Sequence, residues 1–488
     1  MNSYSKTFLP EIKHRQLLIN GQWRDASDGP LMDTYDPATG AVISSVAQAT
    51  AQDVDRAVLA ARAALETGPW GKMAAADRGR LLYRLADLIE RDIEYIAALD
   101  AYNSGKLLID ARDEAGLVVN SLRYYAGWTD KIEGRTIPAR GDIFAYTVKQ
   151  PVGVVGQIIP WNFPLLMLAW KWGPALAAGN TIVMKPAEQT PLSALYLGQL
   201  ALEAGFPDGV INLVNGPGEI VGDAIVTHPG IDKLAFTGSG ATARIIQKRA
   251  ADTLKRCTFE LGGKSPIVVF ADADLDQAVE GAFSANFWHA GQCCSAGTRI
   301  YVHDEVRPEF VSRLAAKVAK RRLGHQLDTD VTQGPQISQE QSDKIFGYLE
   351  AGQREGARLV TGGARHGNEG YFIQPTIFDD VTDNMSIARE EIFGPVASVL
   401  GFTDTGTVVD RANDTNFGLA AAVFTKDIDR ANRFVQKVKA GFVWVNCYFV
   451  LDASLPFGGF KQSGYGRDNG EAALEQYSEL KTVVVARS

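Results

Sequence analysis

Only four cysteines and six histidines occur in 488 residues. Cys257, Cys293, Cys294 and Cys447 form neither a CxxC zinc pair nor the spacing of a disulfide framework, so a stapled secreted fold and a cysteine-based metal site are not expected. Positive charge is in deficit as well: 49 Lys and Arg face 57 Asp and Glu, for a net charge of -8. Such a chain has no global attraction for phosphate backbones or anionic lipid, which disfavours nucleic acid and membrane surfaces as partners. Long apolar runs are missing too. The most lipid-like stretch, Pro164 to Met184, is broken by Lys171, Gly173, Pro174 and Asn180 and falls short of the roughly 20 apolar residues that span a bilayer. At the start, MNSYSKTFLPEIKHR has no apolar core ahead of its charges, so no secretory signal is read and the cytoplasm is the expected compartment. No repeat of roughly 20–50 residues and no low-complexity tract is visible, which argues against solenoids and propellers.

What is present is a globular composition, 46% hydrophobic and 22% charged, in a length that suggests about three domains or lobes. After Thr50, the positions Val54, Ala57, Val58, Ala61 and Leu65 share one helical face, with Thr50 and Asp53 at capping-box spacing. Asp77 to about Asn103 repeats the pattern and is expected as a second helical region. From Pro151 the rhythm changes. VGVVGQIIP, TIVMKP, VINLVNG and DKLAFTGS read as strands, separated by helices over the FPLLMLAWKWGPALAAG segment, Leu192 to Ala204 and Glu219 to Thr227, with another helix beginning near Ala241. Repeated βα units predict a parallel, doubly wound sheet. A second α/β series follows Gly263: SPIVVF, TRIYV, ASVLGF, AAAVFT and FVWVN as strands, with helices over Leu275 to His289, Glu309 to Lys320 and Ile428 to Val438. IFAYTVKQ and LKTVVVAR are alternating strands with no helical partner. Exposed strands of this kind pair with another chain, so both read as oligomer arms.

Several segments have the residue types that chemistry needs. Gly291-Gln292-Cys293-Cys294-Ser295-Ala296-Gly297 is a small-residue turn between a helix and a strand. A nucleophilic cysteine there requires a base, because a free thiol is only a few per cent ionised at neutral pH. Glu260, at the end of a strand and before Gly262 and Gly263, is the first candidate; an ion pair with Lys264 or Lys255 is its ordinary alternative. Asn162, held between Pro160 and Pro164, can aim an amide at a developing oxyanion or simply cap the helix that follows. Lys185 and Glu188 lie just past a parallel strand, where doubly wound sheets bind ligands. A carboxylate there accepts ribose hydroxyls and repels a 2′-phosphate, favouring NAD over NADP. Gly238, Ser239, Gly240 and Ala243 form a GxGxxA-like entry to a helix, suited to a pyrophosphate but weak on its own.

Together PWNFP, KPAEQTP, FTGS, ELGGKSP, GQCCSAG, EEIFGPV and PFGGFKQSG, in this order, resemble the aldehyde dehydrogenase superfamily over nearly the whole chain. The resemblance implies an α/β fold with a Rossmann-like cofactor domain (1–131 and 151–262), a second α/β catalytic domain (263–462), and a small β oligomerisation arm with a C-terminal tail (132–150 and 463–488). It implies NAD as cofactor and a homodimer or homotetramer. Cys294 becomes the nucleophile, and Asn162 with the Cys294 backbone N–H the oxyanion site. Glu260 becomes the base that activates water on the thioester, with Lys171 and Glu471 relaying protons. The cofactor residues it implies are Ile158, Pro160, Trp161, Lys185, Glu188, Gly218, Phe236, Gly238, Ser239, Leu261, Glu391 and Phe393. Gly240 and Ala243 depart from the Thr and Gly usual at that helix start, though Ala243 is small enough to keep close packing.

By the same resemblance an aldehyde tunnel draws on Phe163, Met167, Trp170, Trp288, Phe449 and Phe457, an aromatic wall suited to aromatic or medium-chain aldehydes. The loop from Asn446 to Phe457 is similar to that of phenylacetaldehyde dehydrogenases. A betaine aldehyde is the second substrate reading, through cation–π attraction and the charge of Asp452. Acyl transfer to CoA is disfavoured by Glu260. A non-catalytic protein is disfavoured by the presence of Cys294 and Asn162, and a cysteine hydrolase using His289 by the dinucleotide motifs.

Overall fold

Between Pro151 and Leu261 the short β-branched runs become strands in the computed structural model, which describes residues 9–487. Five of them lie parallel in the order Ile211–Leu213, Thr181–Lys185, Val154–Ile158, Lys233–Gly238, Arg256–Leu261. The chain works outward from Val154–Ile158 in one direction, then crosses back to place Lys233–Gly238 on that strand's other side. This reversal opens a crevice at the carboxyl ends of the two strands, the position where doubly wound sheets hold ligands. Leu17–Ile19 and Gln22–Arg24 extend one edge antiparallel, and Gly464–Tyr465 closes the other against Arg256–Leu261. The latter pair falls in the stretch expected as arm and tail, yet it belongs to this sheet.

A second sheet runs Thr376–Asp379, Val396–Phe402, Arg299–His303, Pro266–Val269, Ala420–Phe424, Phe442–Val445, all parallel, with Arg358–Thr361 antiparallel at its edge. Helices cover both faces, so the central strands are buried on both sides and read as continuous apolar runs. The two arm segments, expected to pair with another chain, pair first with each other. Ser478–Ala486 runs antiparallel to Ile143–Pro151, with Thr136–Ile137 beyond it. Alternation marks a strand that needs a neighbour without saying which neighbour.

The helical readings hold with local corrections. Thr50 and Asp53 form the capping box of helix Ala51–Glu66, each side chain accepting the other's backbone N–H. The region from Asp77 is two helices, Ala75–Arg91 and Ile93–Ser104, because Asp92 leaves helical geometry. Its carboxylate accepts the Tyr196 hydroxyl at 2.8 Å, a tertiary contact absent from the local pattern. Helix Pro164–Ala177 is buried along its whole length, so it shows little one-sided periodicity. No helix among the described residues is long and apolar enough to cross a membrane.

Candidate active site

The helix expected to reach His289 ends at Phe287. His289, Ala290 and Gly291 then take left-handed backbone, φ 46°, 50° and 75°, which swings the chain into the cysteine turn. Two consecutive non-glycine residues in this region store strain of about 1–3 kcal/mol each, a feature that clusters at functional sites. Gly291 is required twice over: its φ is positive, and an added Cβ would stand 2.1 Å from the Gly394 carbonyl oxygen. The GQCC turn is thereby clamped onto the EEIFGPV loop.

Two cavities meet at Cys294. One lies on the crevice at the sheet reversal and is lined by Pro160, Trp161, Gly238, Ser239, Glu391 and Phe393, among others. The second is lined by Phe163, Met167, Trp170, Trp288, Phe449 and Phe457. Cys294, Glu260, Thr237, Leu261, Phe163 and Met167 line both. A hydrogen bond with Cys293, burial, and the carboxylates of Glu391 and Glu260 hold the Cys294 thiol above its ordinary range. The resting group is therefore the thiol, and attack requires a base.

Glu260 is buried, and neither carboxylate oxygen has a hydrogen-bond partner within the protein. Burial and the nearby Asp468 charge push its pKa well above the usual carboxylate value, against the pull of Lys171 and Arg467. The ion pairs with Lys264 or Lys255 that the sequence left open are not formed by this unpartnered carboxylate. Asn162, also buried, donates from Nδ2 to the Gln292 carbonyl at 3.0 Å, so its amide is tied to the cysteine turn. One of its two amide hydrogens is thus occupied, leaving the other for a ligand. His289 is buried with Nε2 unpartnered, and burial and Lys106 hold it well below the normal histidine pKa. Its ring packs on Phe163, 5.6 Å between centroids.

Lys171 donates to Asp468 Oδ2 at 2.8 Å, deep in the protein. Glu471, expected as the acidic partner, stands exposed on helix Gly470–Gln476. Both acids occur in GRDNGEAAL; the expectation fell on Glu471, and the acid that meets Lys171 is Asp468. The choice is made by the antiparallel bridge of Phe457 with Asp468, which draws the earlier acid inward.

The crevice fits a dinucleotide. Ser239 caps helix Gly240–Ala250 by accepting the Thr242 N–H at 3.1 Å, and the other first-turn amides suit an anionic group. Thr237 Oγ1 is buried there without a partner. Gly262 leaves room for Glu391, since an added Cβ would sit 2.2 Å from its carboxylate. Glu391 accepts the Gly263 N–H at 3.1 Å, and burial pushes its pKa up to about 7. Trp161 and Phe393 meet edge to face at 5.3 Å. Farther out, Glu188 accepts the Gly218 N–H at 2.5 Å and pairs with Lys185 at 3.2 Å. Burial lowers the Lys185 pKa, and its Nζ also donates to the Pro186 and Gly216 carbonyls.

Ile158 ends its strand beneath this group. Phe236 is different: it packs in the core with Ile158 and Leu261, its ring directly under Gly238, so it supports the crevice from below. Gln341 and Lys344, which line the crevice, went unread because they project from helix Gln339–Arg354, far away in sequence. The six predicted tunnel residues do share one pocket. Phe163 and Trp288 lie 5.1 Å apart, Trp288 and Phe449 5.0 Å, and Trp170 and Phe457 5.2 Å. Leu166 and Leu451 complete the wall; Leu166 sits at helical spacing from Phe163 and Trp170, a signal available in the sequence.

The model of the aldehyde dehydrogenase family matches residues 23–483. The chain is 54% identical over 479 residues to the mitochondrial aldehyde dehydrogenase of Rattus norvegicus, covering 98% of this chain and 92% of that protein. It is 52% identical to retinal dehydrogenase 2 of Gallus gallus, covering 99% and 93%. An NAD+ complex of aldehyde dehydrogenase from Bacillus cereus superposes with a TM-score of 0.97 at 47% identity, covering all of both chains. Betaine aldehyde dehydrogenase from Staphylococcus aureus in complex with NAD+ superposes with a TM-score of 0.95 at 40% identity, covering 97% and 95%. Sequence, fold and the arrangement around Cys294 agree: the chain belongs to the aldehyde dehydrogenase family.

Proposed function

We propose that the protein oxidises an aromatic or medium-chain aldehyde, of the phenylacetaldehyde type, to its carboxylic acid with NAD. The observation that carries this reading is the position of Cys294 where an aromatic pocket and a dinucleotide crevice meet, beside an unpartnered Glu260. Glu188, Lys185, Glu391 and the Gly238–Ser239 turn hold NAD, which when bound accepts the hydride equivalent from the substrate carbon.

Glu260 takes the Cys294 proton, and the thiolate bonds to the aldehyde carbon. The resulting oxyanion receives hydrogen bonds from Asn162 Nδ2 and the Cys294 backbone N–H, donors already in place before charge develops; one such donor is worth about 3 kcal/mol. Oxidation leaves a thioester on Cys294. Glu260 then removes a proton from water as the water attacks the carbonyl, the C–S bond breaks, and acid leaves as the thiol is restored. Lys171 and Asp468 lie behind Glu260 and pass its proton outward. Water is the acceptor in place of CoA because a buried carboxylate with a raised pKa is a stronger base than an ordinary one and can activate water.

Because Glu260 must be ionised to act, turnover rises with pH as it loses its proton. Asp468→Asn removes a charge that raises the Glu260 pKa and leaves Lys171, which lowers it, unneutralised. The acidic limb of the kcat–pH profile is expected to move to lower pH. A limb that stays in place would remove Glu260 from that role.

Two further parts of the reading are a cytoplasmic location and assembly into a homodimer or homotetramer. The second is supported by the arm strand Ser478–Ala486, which exposes Leu480, Val484 and Val485 beside its pairing with Ile143–Pro151. The decisive experiment measures NADH formation with phenylacetaldehyde, benzaldehyde, hexanal and betaine aldehyde, with and without CoA. CoA-independent turnover led by phenylacetaldehyde supports the proposal; a lead by betaine aldehyde replaces its substrate class, and strict CoA dependence sinks its second half.

A further inference from the structure

Beyond Trp170 and Leu451 the aromatic pocket continues into an outer chamber. The two share Leu166, Trp170 and Leu451, but the outer chamber changes character: Asn120, Ser121, Asp452 and Asn469 line it. Two of these hold polar atoms that the protein leaves unmatched. Ser121 Oγ and Asn469 Oδ1 are buried without a hydrogen-bond partner, in residues only 1% and 2% exposed. Each has an ordinary local use that it does not take. A serine inside a helix, such as Ser121 in Leu108–Ala126, commonly bonds back to the preceding turn. An asparagine at a helix N-cap normally accepts a first-turn amide, yet Asn469 makes no side-chain cap to Gly470–Gln476. A buried acceptor left alone costs about 1–3 kcal/mol, so two of them at the end of an apolar pocket form a site prepared for a donor.

We propose that this chamber is a distal subsite for a neutral hydroxyl, so that the preferred aldehydes carry one at the end remote from the carbonyl, as a para-hydroxyl on an arylacetaldehyde does. The inference rests on the substrate reading above and narrows it. The hydroxyl donates to Asn469 Oδ1 and exchanges a hydrogen bond with Ser121 Oγ. An ammonium suits the place less well, because the buried acceptors are neutral. Asp452, the one acid lining the chamber, is exposed and already bonded to the Ser454 hydroxyl and backbone N–H.

The test compares 4-hydroxyphenylacetaldehyde with 4-methylphenylacetaldehyde, equal in size but lacking the donor, and hexanal with 6-hydroxyhexanal. It uses the parent enzyme and the Ser121→Ala/Asn469→Gly double variant. Glycine is chosen at 469 because φ there is 61°, where another side chain would be strained. In the parent, the hydroxyl compound of the aryl pair is expected to lead in kcat/KM by at least about tenfold, the discrimination expected of a site that hydrogen-bonds its substrate. In the variant the ratio should fall to about one. A ratio taken on one preparation cancels any loss of folded enzyme. Parity in the parent, or an unchanged ratio in the variant, overturns the subsite. If neither aryl aldehyde reacts while the hexanal pair does, the aromatic reading fails, and the aliphatic ratio alone upholds or overturns the subsite by the same criterion.

Discussion

Cys294→Ala is expected to abolish aldehyde oxidation, lowering kcat by at least about 10³-fold, while leaving NAD affinity within a few-fold of the parent. The magnitude follows from losing the covalent route altogether: without sulfur there is no thiohemiacetal, and the oxyanion donors have nothing to stabilise. Binding survives because the residues that fit the cofactor, Lys185, Glu188, Gly238, Ser239 and Glu391, stand on other elements and do not depend on the thiol. Cys293 does not rescue the variant. It is almost fully buried, and its sulfur faces Ser295 Oγ at 3.4 Å. Rapid-mixing kinetics separate the two steps. Cys294→Ala should show no burst of NADH and no acyl-enzyme, whereas Glu260→Gln, which lacks the base for both thiol deprotonation and hydrolysis, should form NADH slowly while still acylating Cys294. A burst from Cys294→Ala would remove that residue as nucleophile.

The second large effect concerns a charge cluster beneath the tunnel wall. Lys106, fully buried, donates to Asp100 at 3.4 Å and bonds Glu114, whose other oxygen accepts the Leu166 N–H at 2.8 Å. Lys106 also lies 4.6 Å from the centre of the Phe163 ring. Glu114→Ala leaves Lys106 with a single carboxylate and strips the acceptor from an amide in the first turn of helix Pro164–Ala177. Removing one partner of a buried pair costs about 3–5 kcal/mol, since the remaining charge stays desolvated. Unfolding in denaturant should register a loss of that order. Glu114→Gln should lose less, because it keeps an acceptor for Leu166. The start of this helix also orients Asn162 and Phe163, so the alanine variant should lower kcat in the protein that remains folded. A stability change below about 1 kcal/mol would show that the cluster is not a net support.

Much of this site was legible in the chain because the chemistry demands rare local text. A small-residue turn around two cysteines, an asparagine between prolines and a glutamate before paired glycines are each constrained by backbone geometry within a few residues. The strands after Pro151 were equally legible, since burial on both faces writes an unbroken apolar run. Other features were not. Asp92 interrupts the helical run, and Tyr196, a hundred residues on, meets its carboxylate. Asp468 replaces Glu471 at Lys171 because a bridge to Phe457 turns one acid inward. The arm strands find each other across more than three hundred residues.

By itself, then, the sequence determined the element types, the family and the identity of the groups able to react, because periodicity and turn chemistry act over one or two turns of chain. Only the tertiary structure decided which acid meets Lys171, that Phe236 supports the crevice from beneath, and that Ser121 and Asn469 converge on one chamber. Those outcomes depend on long-range packing and on which polar atoms burial leaves unmatched, and no local spacing encodes either.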